Sequence, residues 1–301
     1  MLKLLQNRTF ILVMAFVLGL IFADLAGKLQ DLTMPALAVV LAVSSTQMTI
    51  KDFFPLKEMI RPLIMAIVLN FVVLGGVILL LAWLLMPSQD LWVGYVLVAA
   101  APPGIAIVPF THILKGNIRL SLLGTFGVYL ISLLLTPLLV YIFTGETAVS
   151  PLRLLNTMLL LILIPFVISQ LIQNTKAAGY IVRWKGNIIN WGFFVVIFTV
   201  VGLNQEVFLN QHDVLVPVSI VAVVSSFVLA IIVELLGNKF NLNISDKNSY
   251  ILLSTIKTSA FAAAVGVSLY SEAASVPGAV VSFWYALYFI ILGIKGDRTP
   301  N

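Results

Sequence analysis

Lys257 stands in the stretch Ser254-Thr255-Ile256-Lys257-Thr258-Ser259-Ala260, with apolar Tyr250–Leu253 before it and Ala260–Val267 after it. Hydroxyls in such a run serve helix packing as readily as chemistry. An ammonium does not. A charge inside an apolar segment is costly and faces a cavity or a partner. Lys257 could act as a fixed cation that attracts an anion, or as a group that gives up and takes back a proton. A second unusual stretch is Ala99-Ala100-Ala101-Pro102-Pro103-Gly104-Ile105-Ala106-Ile107-Val108-Pro109. Proline lacks an N–H and clashes with the preceding turn, so Pro102, Pro103 and Pro109 cannot all lie in one regular helix. Unwound backbone at membrane depth must be buried in protein or line a cavity. Broken helices of this kind form ion and substrate sites in secondary transporters.

Other chemistries find little to work with. There are no cysteines, which removes disulfides, thiolate metal sites and cysteine nucleophiles. No nucleophile is paired with a base within an apolar segment, and neither a carboxylate dyad nor a metal-ligand cluster is visible, so an enzyme is not expected. No block of basic residues points to nucleic acid. No filter-like repeat points to a channel. His112 titrates in a useful range, but its place at the end of an apolar segment reads as interfacial structure. Asn70 is divided between packing and ligation, and Asp24 and Glu234 read as solvated span ends.

The elements that must position Lys257 and the prolines are membrane helices. Hydrophobic residues make up 61% of the 301 residues and charged ones 10%, with a mean hydropathy of +1.11. Soluble domains carry about 25% charged residues. A bilayer core of about 30 Å needs around 20 apolar residues per helix. On that ruler ten spans are predicted, at Thr9–Gly27, Met34–Met48, Leu63–Met86, Trp92–Leu114, Ile118–Phe143, Leu154–Ile172, Ile188–Leu203, Val214–Leu236, Tyr250–Leu269 and Val276–Ile294. Lys3 and Arg8 before the first apolar run resemble a signal peptide, but no small-x-small cleavage site follows, so a retained span is expected.

Counting ten spans puts Lys3, Arg8, Lys51, Lys57, Arg61, Lys115, Arg119, Lys176, Arg183, Lys185, Lys239, Lys247, Lys295 and Arg298 on one face, and only Lys28 and Arg153 on the other. The basic face is cytoplasmic by the positive-inside rule, which predicts both termini inside and a multi-pass protein of the cell's inner (plasma) membrane. Lys257 is the remaining basic residue. It lies ten residues past Lys247, roughly 15 Å along a helix, near the midplane. The broken fourth and ninth spans are the fourth elements of two five-span halves, 1–144 and 145–301, and an odd number of spans per half inverts the second. The fold expected is an all-α polytopic membrane protein of two inverted five-helix repeats with no soluble domain.

These segments resemble the bile acid:sodium symporter family. Pro102-Pro103-Gly104-Ile105-Ala106-Ile107-Val108 is similar to the family's P-G-G-T-A-S-N, and Thr111-His112-Ile113-Leu114-Lys115-Gly116-Asn117 to the threonine and aliphatic-Lys-Gly-Asn turn after it. Leu120-Ser121, Thr125 and Leu135–Leu139 also fit. Lys257–Ala264 resembles Q-N-S-G-L-A-A-A, and Val276–Trp284 resembles L-P-G-A-L-F-S-V-W. The resemblance implies panel and core domains, crossed broken helices four and nine, substrate between the domains, and sodium-coupled uptake of an organic anion.

The same resemblance exposes departures. Of the first sodium site it implies, Ser121 and Thr125 are kept, while Ile107 and Val108 stand for a serine and an asparagine and Leu253 for a glutamate. For the second, the matching positions are Asn70, Leu253 and Lys257. Hard cations want several oxygen ligands, so family-type sodium sites are expected to be absent, with a residual site conceivable at Ser121 and Thr125. Tyr285-Ala286 replaces a His-Asn pair and Thr258 an asparagine, which argues against a bile acid and for a smaller carboxylate. Substrate or ion contacts are therefore expected from Lys257, Thr258, Ser259, Asn70, Gly104, Ile105, Ala106, Ser121, Thr125, Thr111 and Tyr285. The function expected is alternating-access transport of a small organic anion, with Lys257 in the vacated cation site as fixed counter-charge or proton carrier. The alternatives are sodium coupling through a rearranged site, and a non-transporting membrane sensor. No cofactor is expected beyond sodium or a proton as coupling ion.

Overall fold

The usual distribution of polarity is inverted in this molecule. Trp83 and Leu134 are 71% and 72% exposed, while Asn70, Thr125, Ser226 and Lys257 are buried. Large apolar side chains left on the outside need an apolar solvent, and that solvent is lipid. The computed structural model describes residues 8–46, 56–104, 106–145, 151–173, 175 and 177–297. Among them every extended element is a helix.

The helices run α1 (Arg8–Ile21), α2 (Ala23–Lys28), α3 (Thr33–Ser45), α4 (Leu56–Ile67), α5 (Gly75–Leu85), α6 (Gln89–Ala100), α7 (Ile107–Ile113), α8 (Ile118–Thr144), α9 (Pro151–Met158), α10 (Ile164–Gln173), α11 (Ala177–Leu203), α12 (Gln205–Leu209), α13 (His212–Val223), α14 (Leu229–Lys239), α15 (Ile244–Leu253), α16 (Ser259–Leu269) and α17 (Glu272–Asp297). Wider π turns join α4 to α5 (Val68–Leu74), α9 to α10 (Leu159–Leu163) and α13 to α14 (Val224–Val228).

Helix ends follow local chemistry. Ser88 caps α6 by accepting from Leu91 N, and α6 stops at Ala100 because Ala101, preceding a proline, takes an extended conformation. Asn117 caps α8, which ends at Gly145 in a positive-φ conformation open to glycine. Asn243 caps α15 by accepting from Asp246 N at 2.7 Å.

Among the described residues, five helices are long and apolar enough to cross a membrane, Ile60–Leu85, Ile118–Thr144, Arg183–Leu203, His212–Lys239 and Glu272–Ile294. The other predicted spans fall on shorter pieces. The first is divided at Phe22, the fourth between α6 and α7, and the ninth between α15 and α16. Several helices also outrun their predicted bounds. The α11 helix begins at Ala177 rather than Ile188, because an apolar ruler stops at the charged Arg183 and Lys185, which are themselves good helix formers.

Two groups of helices meet along a seam. In one, α11 packs against α1, α2, α3 and α10; in the other, α6 and α8 gather α4, α5, α7, α16 and α17. The groups touch where α1 and α11 lie against α17, and α3 and α11 against α16. Lys3, Lys51, Lys176 and Arg298, counted above on the basic face, lie outside the described residues. Arg61 and Arg119, assigned by that count to one face, line one pocket together with Asp246.

Candidate functional site

The two interrupted stretches, 101–106 and 254–258, cross each other. Pro103 and Lys257 form an antiparallel bridge, in which Gly104 N donates to Ile256 O at 3.1 Å and Thr258 N to Pro102 O at 3.0 Å. This pattern explains the prolines. The bridge draws its donors from Gly104 and Thr258, so Pro102 and Pro103 occupy the positions where no N–H is needed. A Cβ on Gly104 would overlap the Ile256 side chain and stand 3.0 Å from Lys257 O, so only glycine permits the approach.

Every carbonyl from residue 100 to 104 has a donor. Thr136 Oγ1 donates to Ala100 O at 2.6 Å, Lys257 Nζ to Ala101 O at 2.9 Å, Thr258 N to Pro102 O, Thr258 Oγ1 to Pro103 O at 2.8 Å, and Ile107 N to Gly104 O at 3.1 Å. On the opposite stretch Asn70 Nδ2 donates to Leu253 O at 3.0 Å and Ile256 O at 3.3 Å. The Tyr285 hydroxyl accepts from Lys257 N at 2.9 Å. An unwound segment in a bilayer must satisfy its backbone internally, and these side chains do so.

Lys257 is 2% exposed. Its ammonium lies 4.1 Å from the centroid of the Phe71 ring, a cation–π arrangement. Among the described residues no carboxylate pairs with it. An ammonium carries three donors; Ala101 O takes one and the Phe71 face covers another direction, so donor capacity remains.

The Lys257 residue also lines a cavity on the seam, of about 40 Å³, room for a few water molecules. Gly104, Ala106, Lys257, Thr258, Ser259, Ser282 and Tyr285 line it from one side, and Leu12, Phe193 and Ile197 from the other. Ser259 and Ser282 share a hydrogen bond at 2.8 Å. Ser259 and Ala260 open α16, and their first-turn N–H groups find no carbonyl acceptor among the described residues. The small polar surface therefore combines a cation, helix-start donors and hydroxyls, facing an apolar wall.

Six of the residues singled out in the sequence thus share one cavity: Lys257, Thr258, Ser259, Gly104, Ala106 and Tyr285. Asn70 supports the crossing from behind. Thr111 is buried and donates to Ile107 O at 2.8 Å within α7, away from the cavity lining. Ile105 lies outside the described residues. Ser121 and Thr125 sit one turn apart on α8, and among the described residues their buried hydroxyls have no partner, nor has Asn70 Oδ1. Leu253 is fully buried and packs beside Gly124 on the same helix. The oxygens that remain there are neutral, and the apolar Leu253 stands among them, a poor set for a hard cation. No group of three or more His, Asp or Glu that could hold a metal ion occurs among the described residues. Sequence reading missed Phe71, Thr136 and Ser282. Phe71 and Thr136 belong to types common in packing, and Ser282 carried only the signal of its place in the Val276–Trp284 motif.

The family described as Sodium Bile acid symporter family matches residues 34–212, more than half of the chain. The chain is also 24% identical over 277 residues to an uncharacterized sodium-dependent transporter, YocS, of Bacillus subtilis (strain 168), covering 90% of this chain and 84% of that protein. The matched family segment contains the α6–α7 interruption but ends before Lys257. With multi-pass apolar helices and this match, the chain is a membrane transporter, not an enzyme, and belongs to the sodium bile acid symporter family.

Proposed function

We propose that the chain carries a small organic anion by alternating access, with the Lys257 ammonium serving where relatives use a bound cation. The observation that carries this reading is a buried lysine, with no carboxylate partner among the described residues, two positions before α16 and in the lining of a cavity between two helix groups. An isolated buried charge is costly, and an anion or the loss of a proton removes that cost. The α16 N-terminus adds partial positive charge in the same place. Ser259, Thr258 and Tyr285 supply hydroxyls for a carboxylate, and Leu12, Phe193 and Ile197 an apolar wall for its body.

The topology proposed is ten spans in two inverted five-helix units, 1–144 and 145–301, moving as panel and core. Element lengths support it. The α4 helix has 12 residues, then a π turn and the 11 residues of α5; α13 has 12, then a π turn and the 11 residues of α14. Each pair is followed by an interrupted helix and then by a long one, α8 of 27 residues or α17 of 26. Both termini fall on the face rich in Lys and Arg, which puts them in the cytoplasm.

A second reading, sodium coupling through a rearranged site, draws on the orphaned oxygens of Ser121, Thr125 and Asn70 and on the sodium dependence in the name of the Bacillus protein. One experiment separates the two. Flux of a panel of small carboxylates into proteoliposomes is measured with and without sodium and with and without a pH gradient, for the wild-type chain and Lys257→Gln. Sodium-independent flux that falls at least tenfold in Lys257→Gln is expected. A strict sodium requirement overturns the counter-charge reading in favour of the second, unchanged flux in the variant removes Lys257 from the mechanism, and binding without flux makes the chain a sensor.

A further inference from the structure

Buried serine and threonine hydroxyls in this molecule commonly bond back to the carbonyl one turn earlier. Thr111 donates to Ile107 O, Ser226 to Ala222 O, Thr255 to Ile251 O and Ser282 to Gly278 O, a local outlet for such groups in a helix. On α8, Ser121, Thr125 and Tyr129 break that pattern. Their hydroxyl oxygens are buried and have no hydrogen-bond partner among the described residues. For Ser121 the carbonyl one turn back, Asn117 O, already accepts from Ser121 N at 3.0 Å and Ser249 Oγ at 3.1 Å. Buried polar groups that the protein itself leaves unsatisfied are the ones that ordered water or an ion serves.

The three share one face. With 3.6 residues per turn, positions 121, 125, 129 and 136 fall within about 80° of arc. Thr136 on that face donates to Ala100 O, so the face is turned to the crossing. The hydroxyl-bearing positions 121, 125 and 129 follow at about 6 Å along the axis. That is too far for a direct hydrogen bond, and it is the span of one water making two bonds of about 2.8 Å. At the crossing, the Tyr129 hydroxyl lies beside Thr258, which lines the seam cavity together with Lys257. At the other end Ser121 adjoins Leu120 and lies one turn from Asn117, and both of these line a pocket of about 340 Å³ at the foot of α8. The row thus covers roughly 12 Å between pocket and crossing. Water suits it better than a cation, since water accepts from the hydroxyls as well as donating to them.

We propose that Ser121, Thr125 and Tyr129 hold a file of water along α8 that conducts protons between the pocket at its foot and the seam cavity. The file stands on the hydroxyls alone; delivery of its protons to Lys257 rests on the transport reading above. The titratable groups about Lys257 are phenols, Tyr129 of α8 with Tyr285 and Tyr288 of α17, and Tyr95 of α6 near Tyr285. Each hydroxyl takes a proton on one side and releases its own on the other. Lys257 therefore loses one proton as the far pocket gains one, and the reverse sequence reloads it.

Hydroxyl-radical footprinting of the full chain in detergent tests the file, because radiolysis oxidises side chains that touch water. Tyr95, fully buried with its hydroxyl donating to Val218 O, is the dry reference. Tyr129 is expected to be oxidised several-fold faster than Tyr95. Thr125→Val should slow Tyr129 about fivefold, the occupancy that one hydrogen bond to water sustains, and Thr125→Ser should not. Oxidation of Tyr129 unchanged in Thr125→Val overturns the proposal. Slowing by added sodium, with choline as control, makes the row a cation site and also overturns it. Conduction is read in proteoliposomes holding a pH indicator, against protein-free vesicles, during flux of the small-carboxylate panel. Proton movement is expected to need Lys257 and to fall several-fold in Thr125→Val but not in Thr125→Ser. Movement lost in Lys257→Gln yet unchanged in Thr125→Val overturns the route and leaves the transport reading standing. No Lys257-dependent movement at all overturns proton carriage by Lys257 and conduction with it. Circular dichroism checks the fold. Should Thr125→Val not fold, Ser121→Ala carries the comparison, and unchanged oxidation of Tyr129 there overturns the proposal.

Discussion

Lys257 is attached to the chain by a backbone that is itself pinned. Tyr285 accepts its N–H at 2.9 Å, so the ammonium is aimed from a fixed base. Tyr285→Phe leaves that N–H without its acceptor and should cost about 1–3 kcal/mol, read as a lower thermal midpoint in detergent. Gly104→Ala forces a methyl into Ile256 and should cost a similar amount, about 1–3 kcal/mol, through overpacking. Gly104→Ala is a stability effect, distinct from the loss of flux expected of Lys257→Gln, whereas Tyr285→Phe also removes a hydroxyl offered to the substrate and should lower flux as well. An anion-flux defect with unchanged midpoints in these two variants would show that the crossing is not the structural unit described.

At the scale of elements, the crossing behaves as a two-stranded knot in a helical protein. Thr136→Val removes the donor to Ala100 O and should destabilise by about 1–3 kcal/mol, since the carbonyl stays buried; an unchanged unfolding midpoint would mean that another donor replaces it. Leu253→Glu combined with Lys257→Gln reinstates a carboxylate and an amide beside Asn70. It is expected to make flux respond to sodium, and a sodium-blind double variant would count against the resemblance at these positions. Part of this was legible in the sequence. Pro102 and Pro103 stop a helix through a missing N–H and a ring clash, which are local properties, and Lys257 stands out because it interrupts an apolar run. The partners of the freed carbonyls are not local. Thr136 and Lys257 reach Ala100 O and Ala101 O across 36 and 156 residues, and nothing in a threonine's surroundings marks it as the donor. The π turns and the length of α11 escaped for a related reason, since hydropathy reports burial in lipid rather than backbone hydrogen bonding.

At the scale of the whole molecule, the cavity is narrow, and on the proposed function admitting a substrate requires the two helix groups to part. The seam is mainly apolar, with Asn204, between α11 and α12, donating to Ser275 of α17 at 2.9 Å as one polar tie across it. Because the chain has no cysteine, Ser259→Cys introduces a single thiol at the cavity. Its alkylation should be slow, given 5% exposure, and a transported carboxylate should slow it several-fold further; fast labelling insensitive to carboxylates would put the site elsewhere. The tethered ammonium also has an electrical meaning. On the proposed counter-charge reading, the moving unit with an anion aboard is neutral, and empty it carries one positive charge. Against an inside-negative potential, each turnover that ejects one anion is favoured by about 2.3 kcal/mol per 100 mV. A carrier whose cation cannot leave therefore vents anions by default. It accumulates them only when a proton travels with the lysine or another anion returns in exchange.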